Sequence, residues 1–381
     1  MSRILCLNYE YPPLGGGGGN ATANLAREMA RLGATVRVVT SAFGALPKLH
    51  ETQGFTIRRI PTMRRREEKC AIWEMAMFMA SACLYLPGIV REFKPDAIIA
   101  FFGIPCGPPA WLARRLTGTP YVVFLGGGDV PGFQPYDMAR LHRLFGPAIR
   151  FVWKRAKAVV PNSQGLAALA RAFEPGLTYP IIPHGADTTL FAPREAPRAP
   201  GPARFFFHGR LVFQKGLDVG FRALAMLPNQ LAWEFHLAGD GPQRAALETQ
   251  ARELGLADRI FFRGWMGRPD LAKLMQDMDA YFFPSRDEGM PNSVLEAMAS
   301  GLAVATTRIA GCEELVIPGV NGFLAPPDAP EPLAEALAKL ITDENLRDLM
   351  GKASRLRVLD EYSWTNAAAR YLELCTGKGP D

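Results

Sequence analysis

Short apolar runs alternate with segments of helical periodicity along most of this chain. The first run, RILCLNY from Arg3 to Tyr9, is followed by ANLAREMARLG, whose apolar residues recur every three or four positions, and then by TVRVVTS. That order predicts a βαβ unit, with Gly33 where a left-handed residue commonly ends a helix. DAIIAFF, PYVVFLGG and AVVPNS continue the series as strand-length runs beside helical stretches, so a mostly parallel sheet with helices on both faces is expected. The signal stops near Phe191, and the proline-rich APREAPRAPGPA from Ala192 to Ala203 reads as a linker. Beyond it the alternation resumes through RFFFHGR, WEFHLAGDG, RIFFRG, DAYFFPS and LAVATT, with helices between them. The pattern predicts an α/β protein of two doubly wound domains, residues 1–191 and 204–361, joined by a linker at 192–203. Such sheets bind ligands beyond the carboxyl ends of their strands, so the loops after strands are where chemistry is sought.

Composition supports this picture. At 381 residues the chain is long enough for two cores, and 48% hydrophobic with 21% charged residues suits a soluble globular protein. Its six cysteines are scattered without a CxxC pair, which indicates neither a disulfide framework nor a zinc site. The N-terminal apolar run is strand-sized, too short for a signal peptide, so the cytoplasm is the expected compartment. The formal charge of +6 permits an acidic partner without naming it, and much of the excess lies in RRIPTMRRREEK from Arg58 to Lys69. The next segment, Ala71 to Val90, is long and apolar, although Glu74 and Pro87-Gly88 leave only about a dozen clean residues, short of a membrane span. It reads as a core or groove helix. A membrane-surface helix is the alternative, prompted by Arg64, Arg65 and Arg66 beside it.

Five consecutive glycines, Gly15 to Gly19 in PPLGGGGGNAT, follow the first strand. Glycine loses the most conformational freedom on folding, so such a run belongs where the backbone turns sharply or a ligand approaches it closely. Gly16, Gly18 and Ala21 match a dinucleotide-binding spacing, but YEYPPL intervenes after the strand and VRVVTSAFG ends without the acid that would hold a ribose. No Lys-Ser or Lys-Thr follows, which excludes a Walker loop. Glycines opening a helix still suit an anion.

Three loops of the second half carry the strongest signals. In HGRLVFQKG, Arg210 and Lys215 stand between a strand and a helix, where two cations converge on a ligand such as a diphosphate. AGDGP forms a tight turn after the next strand. PSRDEGMPNSVLEAMASG places Glu288 after a strand and Glu296 in the first turn of a helix. Taken singly, Glu296 would serve the helix dipole and the two cations would be surface charges. Asp277 and Asp279 form a D-x-D string, set aside as a metal site because Asp279 immediately precedes a strand; His184 and His208 read as structural.

The E-x7-E motif of Glu288 and Glu296, followed by GCEELVIPGVNGFL, resembles the nucleotide-sugar site of glycosyltransferase family 4, retaining enzymes of the GT-B fold. HGRLVFQKG, PPLGGGGGNATANLA and the C-terminal YSWTNAAARYLEL resemble that family in the same order along the chain. The resemblance implies two Rossmann-like domains facing across a cleft, the first on the acceptor side and completed by a C-terminal helix at 362–381, the second binding the nucleotide sugar. It implies that Arg210 and Lys215 hold the donor diphosphate, Glu288 contacts the sugar, Glu296 accepts hydrogen bonds from the ribose, and Gly15, Gly16 and Gly17 approach the donor. Gly209, Gly289, Met290, Pro291 and Asn292 join the donor-binding set, and Asp129 falls at a catalytic position of the family. The family's frequent histidine is here Gly126, a departure that leaves its role beside the sugar open. The resemblance also implies a metal-independent retaining hexosyltransferase with no cofactor. Such an enzyme would take a UDP- or GDP-linked sugar and a sugar or lipid-linked acceptor, in envelope polysaccharide or glycolipid synthesis, with no nucleic-acid partner. A peripheral position at the inner face of the membrane is the associated expectation for localisation. A catalytically silent nucleotide-sugar-binding protein is the alternative.

Overall fold

The computed structural model describes every residue except 68, 69, 134, 197–199 and 378–381, together with the side chains of 135–138, so part of the expected linker and the last residues of the expected C-terminal helix lie outside the described residues. The chain forms two compact units, Met1–His184 with the segment from Trp364 onward, and Gly185–Ser363.

In the first unit the elements run β1 (Arg3–Leu7), α1 (Gly17–Arg31), β2 (Thr35–Ser41), β3 (Leu49–Thr52), β4 (Phe55–Ile60), α2 (Ile72–Phe93), β5 (Ala97–Phe101), α3 (Gly103–Thr117), β6 (Tyr121–Leu125), α4 (Pro135–Trp153), β7 (Ala158–Pro161) and α5 (Gln164–Phe173). Their sheet has the order β3-β4-β2-β1-β5-β6-β7 and is parallel except for β3. Both faces are covered: along β1, Leu5 and Leu7 enter one core and Ile4 and Cys6 the other. β3 escapes the apolar pattern because it is a short polar edge strand, LHET, closed onto β4 by a turn through Gln53 and Gly54, both at positive φ.

The second unit continues with β8 (Ala203–His208), α6 (Leu217–Ala225), β9 (Trp233–Ala238), α7 (Arg244–Glu253), β10 (Ile260–Gly264), α8 (Arg268–Gln276), β11 (Ala280–Phe283), α9 (Asn292–Ala299), β12 (Ala303–Thr307), α10 (Cys312–Leu315), β13 (Gly322–Ala325), α11 (Pro330–Thr342) and α12 (Glu344–Glu361). All six strands are parallel, in the order β10-β9-β8-β11-β12-β13. The last helix, α13 (Trp364–Thr376), belongs to the first unit.

The boundary falls at His184, earlier than the expected residue 191, because the chain joins the second core before it reaches the prolines. Phe191 is fully buried there, and Arg194 donates to the Met278 carbonyl at 2.6 Å and to Asp279 at 3.1 Å. The return falls at Trp364 and not at 362, since Tyr362 is packed in the second core and Ser363 bridges to Ala186.

α13 packs on α1 and fills one face of the first sheet with Trp364, Ala368 and Tyr371. Removing a buried aromatic side chain loses its transfer free energy and leaves a cavity. Tyr371, 1% exposed, lies near the middle of this helix. Tyr371→Ala should lower the stability of the first unit by about 3 to 5 kcal/mol, measured by urea unfolding.

Candidate nucleotide-sugar site

The second unit gathers its candidate residues at the carboxyl end of the sheet, in the loops after β8, β9 and β11. The first two run backbone against backbone: Gly209 N donates to the Ala238 carbonyl at 3.0 Å and Leu211 N to that of Asp240 at 2.9 Å. Gly239, at φ +143, allows this approach, since a Cβ there would stand 1.9 Å from the Gly209 oxygen. The turn read in AGDGP therefore supports the β8 loop.

That loop carries Lys215 in a single 3-10 turn, Phe213–Lys215. Lys215 Nζ lies 2.5 Å from Glu288 Oε1, which also accepts from Ser285 Oγ at 2.8 Å. The β8 and β11 loops are laced together to hold this pair. Arg286 N donates to the Gln214 carbonyl at 2.7 Å, and Gln214 Nε2 donates to the Asp287 carbonyl at 2.6 Å. The Arg286 guanidinium forks onto Asp218 at 2.8 and 2.9 Å, reaches the Phe213 carbonyl at 2.6 Å and stacks on the Phe213 ring at 4.0 Å. Arg210 is exposed, and its side chain makes no ion pair or hydrogen bond among the described residues.

Glu296 sits in the second turn of α9, not the first as expected, because the helix begins at Asn292. It is buried, with Arg268 Nη1 2.6 Å from Oε1 and His208 Nε2 3.3 Å from Oε2. Burial pushes its carboxyl up from the ordinary range, against the pull of Arg268. The turn of Gly289, Met290 and Pro291 leads into α9, which has no side-chain cap at its N-terminus. The structure thus brings together Arg210's loop, Lys215, Glu288 and the start of α9, with His208, which the sequence read as structural, and adds Arg268 and Arg286, which the sequence did not single out. Asp279 of the D-x-D string is engaged by Arg194 and accepts from Arg204 N at 2.8 Å.

In the first unit the order passes from β1 to β5 at a topological switch point, and there the loops after β1, β5 and β6 meet. The glycines at this point do different things. Gly15 adopts φ +80, Gly16 and Gly17 are exposed at the start of α1, and Gly18 makes room for the Phe102 ring, whose Cζ would lie 2.4 Å from an added Cβ. Gly126, where the resemblance would place a histidine, faces the same ring, with Phe102 Cε1 2.7 Å from an added Cβ. Asp129, expected among the catalytic residues, instead has its oxygens on backbone amides: those of Gly103 and Gly126 at 3.0 Å and of Gly127 at 3.1 Å. It locks the β5 and β6 loops around Phe102, and a group so occupied is an anchor.

Because Phe102 fills the space, Gly126→His should overpack it and lower stability by about 1 to 3 kcal/mol, and Phe102→Ala in the same chain should recover part of that loss. Thermal unfolding of the single and double variants checks this. A Gly126→His protein as stable as wild type would mean that the ring is free to move aside.

Two sequence families match the chain, "Glycosyl transferase 4-like domain" over residues 16–176 and "Glycosyl transferases group 1" over residues 191–357. The 2-deoxystreptamine glucosyltransferase of Streptomyces kanamyceticus is 27% identical over 374 residues, covering 90% of this chain and 94% of that protein. Among solved structures, sucrose-phosphate synthase from Thermosynechococcus elongatus superposes with a TM-score of 0.84 at 22% identity, covering 98% of each chain. Anabaena HepE, solved in complex with UDP and glucose, gives 0.77 at 20% identity over 99% of this chain and 100% of its own. The protein belongs to the family-4 type of nucleotide-sugar-dependent glycosyltransferases and has their GT-B fold.

Proposed function

We propose that this glycosyltransferase moves a sugar from a UDP- or GDP-linked donor to a hydroxyl of a membrane-associated acceptor, in envelope polysaccharide or glycolipid synthesis. In this reading the configuration at the anomeric carbon is retained and no metal is used. The observation that carries it is the placement of Lys215 against Glu288, with the unengaged Arg210 on the same loop, at the carboxyl end of the second sheet. A diphosphate there receives two cations, which supply the charge stabilisation a metal would otherwise give. Glu288 then serves the sugar hydroxyls and Glu296 the ribose. Front-face attack suits the site: as the glycosidic bond breaks, the departing phosphate takes the acceptor's proton while Lys215 and Arg210 stabilise the growing charge. HepE, captured with UDP and glucose, supports the donor class.

The membrane side of the proposal rests on α2. The sequence reading leaves this segment short of a span, yet by length and composition the helix that forms, Ile72–Phe93, could cross a membrane, and a third of its most apolar stretch is buried. Its outer face shows Ile72, Trp73, Met77, Leu84 and Tyr85, with Met63 beside them. The only acid within α2 before its last turn, Glu74, is buried and caps the helix by accepting from Ala71 N at 2.7 Å. Arg65 and Arg66 stand exposed at the same end, Arg65 over the Trp73 ring at 5.0 Å. Arg64 does not join them: it is buried, donating to the Arg66 carbonyl at 2.8 Å and the Glu67 carbonyl at 3.1 Å. An enzyme on the cytoplasmic side would lay this face on an anionic leaflet.

Lys215→Ala should lose about 100-fold in kcat, because its interaction with the diphosphate grows in the transition state. Glu296→Gln should mainly raise KM for donor, since the ribose does not change during the reaction. Steady-state transfer or donor hydrolysis separates the two, and Lys215→Ala with wild-type kcat at saturating donor would remove the diphosphate clamp from the mechanism.

The protein should float with phosphatidylglycerol vesicles at low salt, and losing Arg65 or Arg66 should weaken binding by about 1 kcal/mol each. No flotation at low salt would refute the membrane face.

A further inference from the structure

Glu296 is faced differently at each oxygen. Oε1 meets the Arg268 guanidinium at 2.6 Å, and Oε2 lies 3.3 Å from His208 Nε2. The other titratable groups acting nearby are Asp187, a like charge, and Tyr281 on β11. His208 supplies no compensating charge: burial, then Arg268 and Lys215, push its pKa down to about 3, against the opposing pull of a hydrogen bond with the Ser293 backbone. Among the described residues Arg268 is therefore the one cation in contact with Glu296. It is also held from behind, because its guanidinium stands over the Phe191 ring at 5.0 Å and Phe191 is fully buried. The guanidinium takes Oε1 and leaves Oε2 beside a neutral imidazole, free to accept from a hydroxyl.

We infer that Arg268, braced on Phe191, is a positioning residue that holds the Glu296 carboxylate as acceptor for the ribose hydroxyls, and so gives the site its preference for a nucleoside diphosphate with an intact 2′,3′-diol. This rests on the reading of Glu296 as the ribose residue. The physical reason is that a buried carboxylate with no paired cation takes up a proton and loses an acceptor. Without Arg268, Glu296 keeps its burial, Asp187 and a neutral His208, so it binds a proton more readily. Affinity that depends on the carboxylate is then present at high pH and lost as pH falls, with the loss setting in at a higher pH than in wild type.

Calorimetric titration of the full chain with UDP, GDP and ADP identifies the diphosphate that binds most tightly, and the same measurement is made with its 2′-deoxy form. Arg268→Met keeps the length of the side chain and removes the charge, while Arg268→Lys restores a cation. Arg268→Met is expected to bind the ribonucleotide about tenfold more weakly near pH 6, to regain affinity as pH rises, and to lose the wild-type preference over the 2′-deoxy form. Arg268→Lys should lie closer to wild type, and Glu296→Gln should abolish the pH dependence that Arg268→Met introduces. A folded Arg268→Met protein with wild-type affinity and pH profile overturns the inference and leaves the reading of the site standing. So does a loss that is equal at every pH and is not rescued by lysine, since that is what a merely structural arginine would give. Wild type that binds none of the three diphosphates overturns the site itself and this inference with it.

Discussion

Burial of two carboxylates at the carboxyl end of one sheet is the constraint on which this site depends. Glu288 and Glu296 are 9% and 6% exposed, and an ion withdrawn from water to that degree costs several kcal/mol unless a partner and hydrogen bonds offset it. Each has one cation in contact, Lys215 for Glu288 and Arg268 for Glu296. Neither cation is placed by its neighbours in sequence alone. Lys215 is held through the lacing of the β8 and β11 loops around Arg286, and Arg268 through Phe191. The β8 and β9 loops pass closely at Gly209 and Gly239, and Lys215 lies alongside Gly209. The fold sets a positive charge in contact with each of the two carboxylates.

The sequence carried this arrangement unevenly. The strands were readable because buried parallel strands are near-continuous apolar runs, and the loops after them were marked by the rule that ligands bind beyond carboxyl ends. The E-x7-E spacing was readable because both acids lie in one loop and helix. Arg268 was not, since 28 residues and a crossover separate it from Glu296. Arg286 lies two residues before Glu288 and looks like an ordinary surface charge until its fork onto Asp218, 68 residues away, is seen. β3 was invisible for a different reason: a four-residue polar edge strand has no buried face to impose a period.

Runs of one residue type proved to be the least uniform features. Five glycines in a row read as a single ligand-facing loop, yet only Gly16 and Gly17 face outward, while Gly15 supplies a turn and Gly18 accommodates an aromatic ring. Three arginines in a row read as one basic patch, yet Arg64 turns inward onto carbonyls and leaves two outside. In both cases the composition marked a place of dense backbone and charge demands, and the fold assigned the members separately. Counting residues in such a run overstates the part available to a partner.

The departure at Gly126 has a cause in the same first-unit loops. Phe102 sits at φ +74, a conformation that costs a non-glycine residue on the order of 1 to 3 kcal/mol and persists only where the surroundings over-determine it. Here they do so from three sides: Gly18 and Gly126 give the ring its space, Tyr9 packs against it at 5.6 Å, and the Asp129 carboxylate fastens the amides of the turn that carries it. A histidine at position 126 and a phenylalanine at 102 compete for one volume. Glycine at 126 leaves that volume to the aromatic ring, and Asp129 accepts from the amides beside it. The contacts of Lys215 with Glu288 and of Arg268 with Glu296 are made within the second unit, and neither includes Gly126 or Asp129.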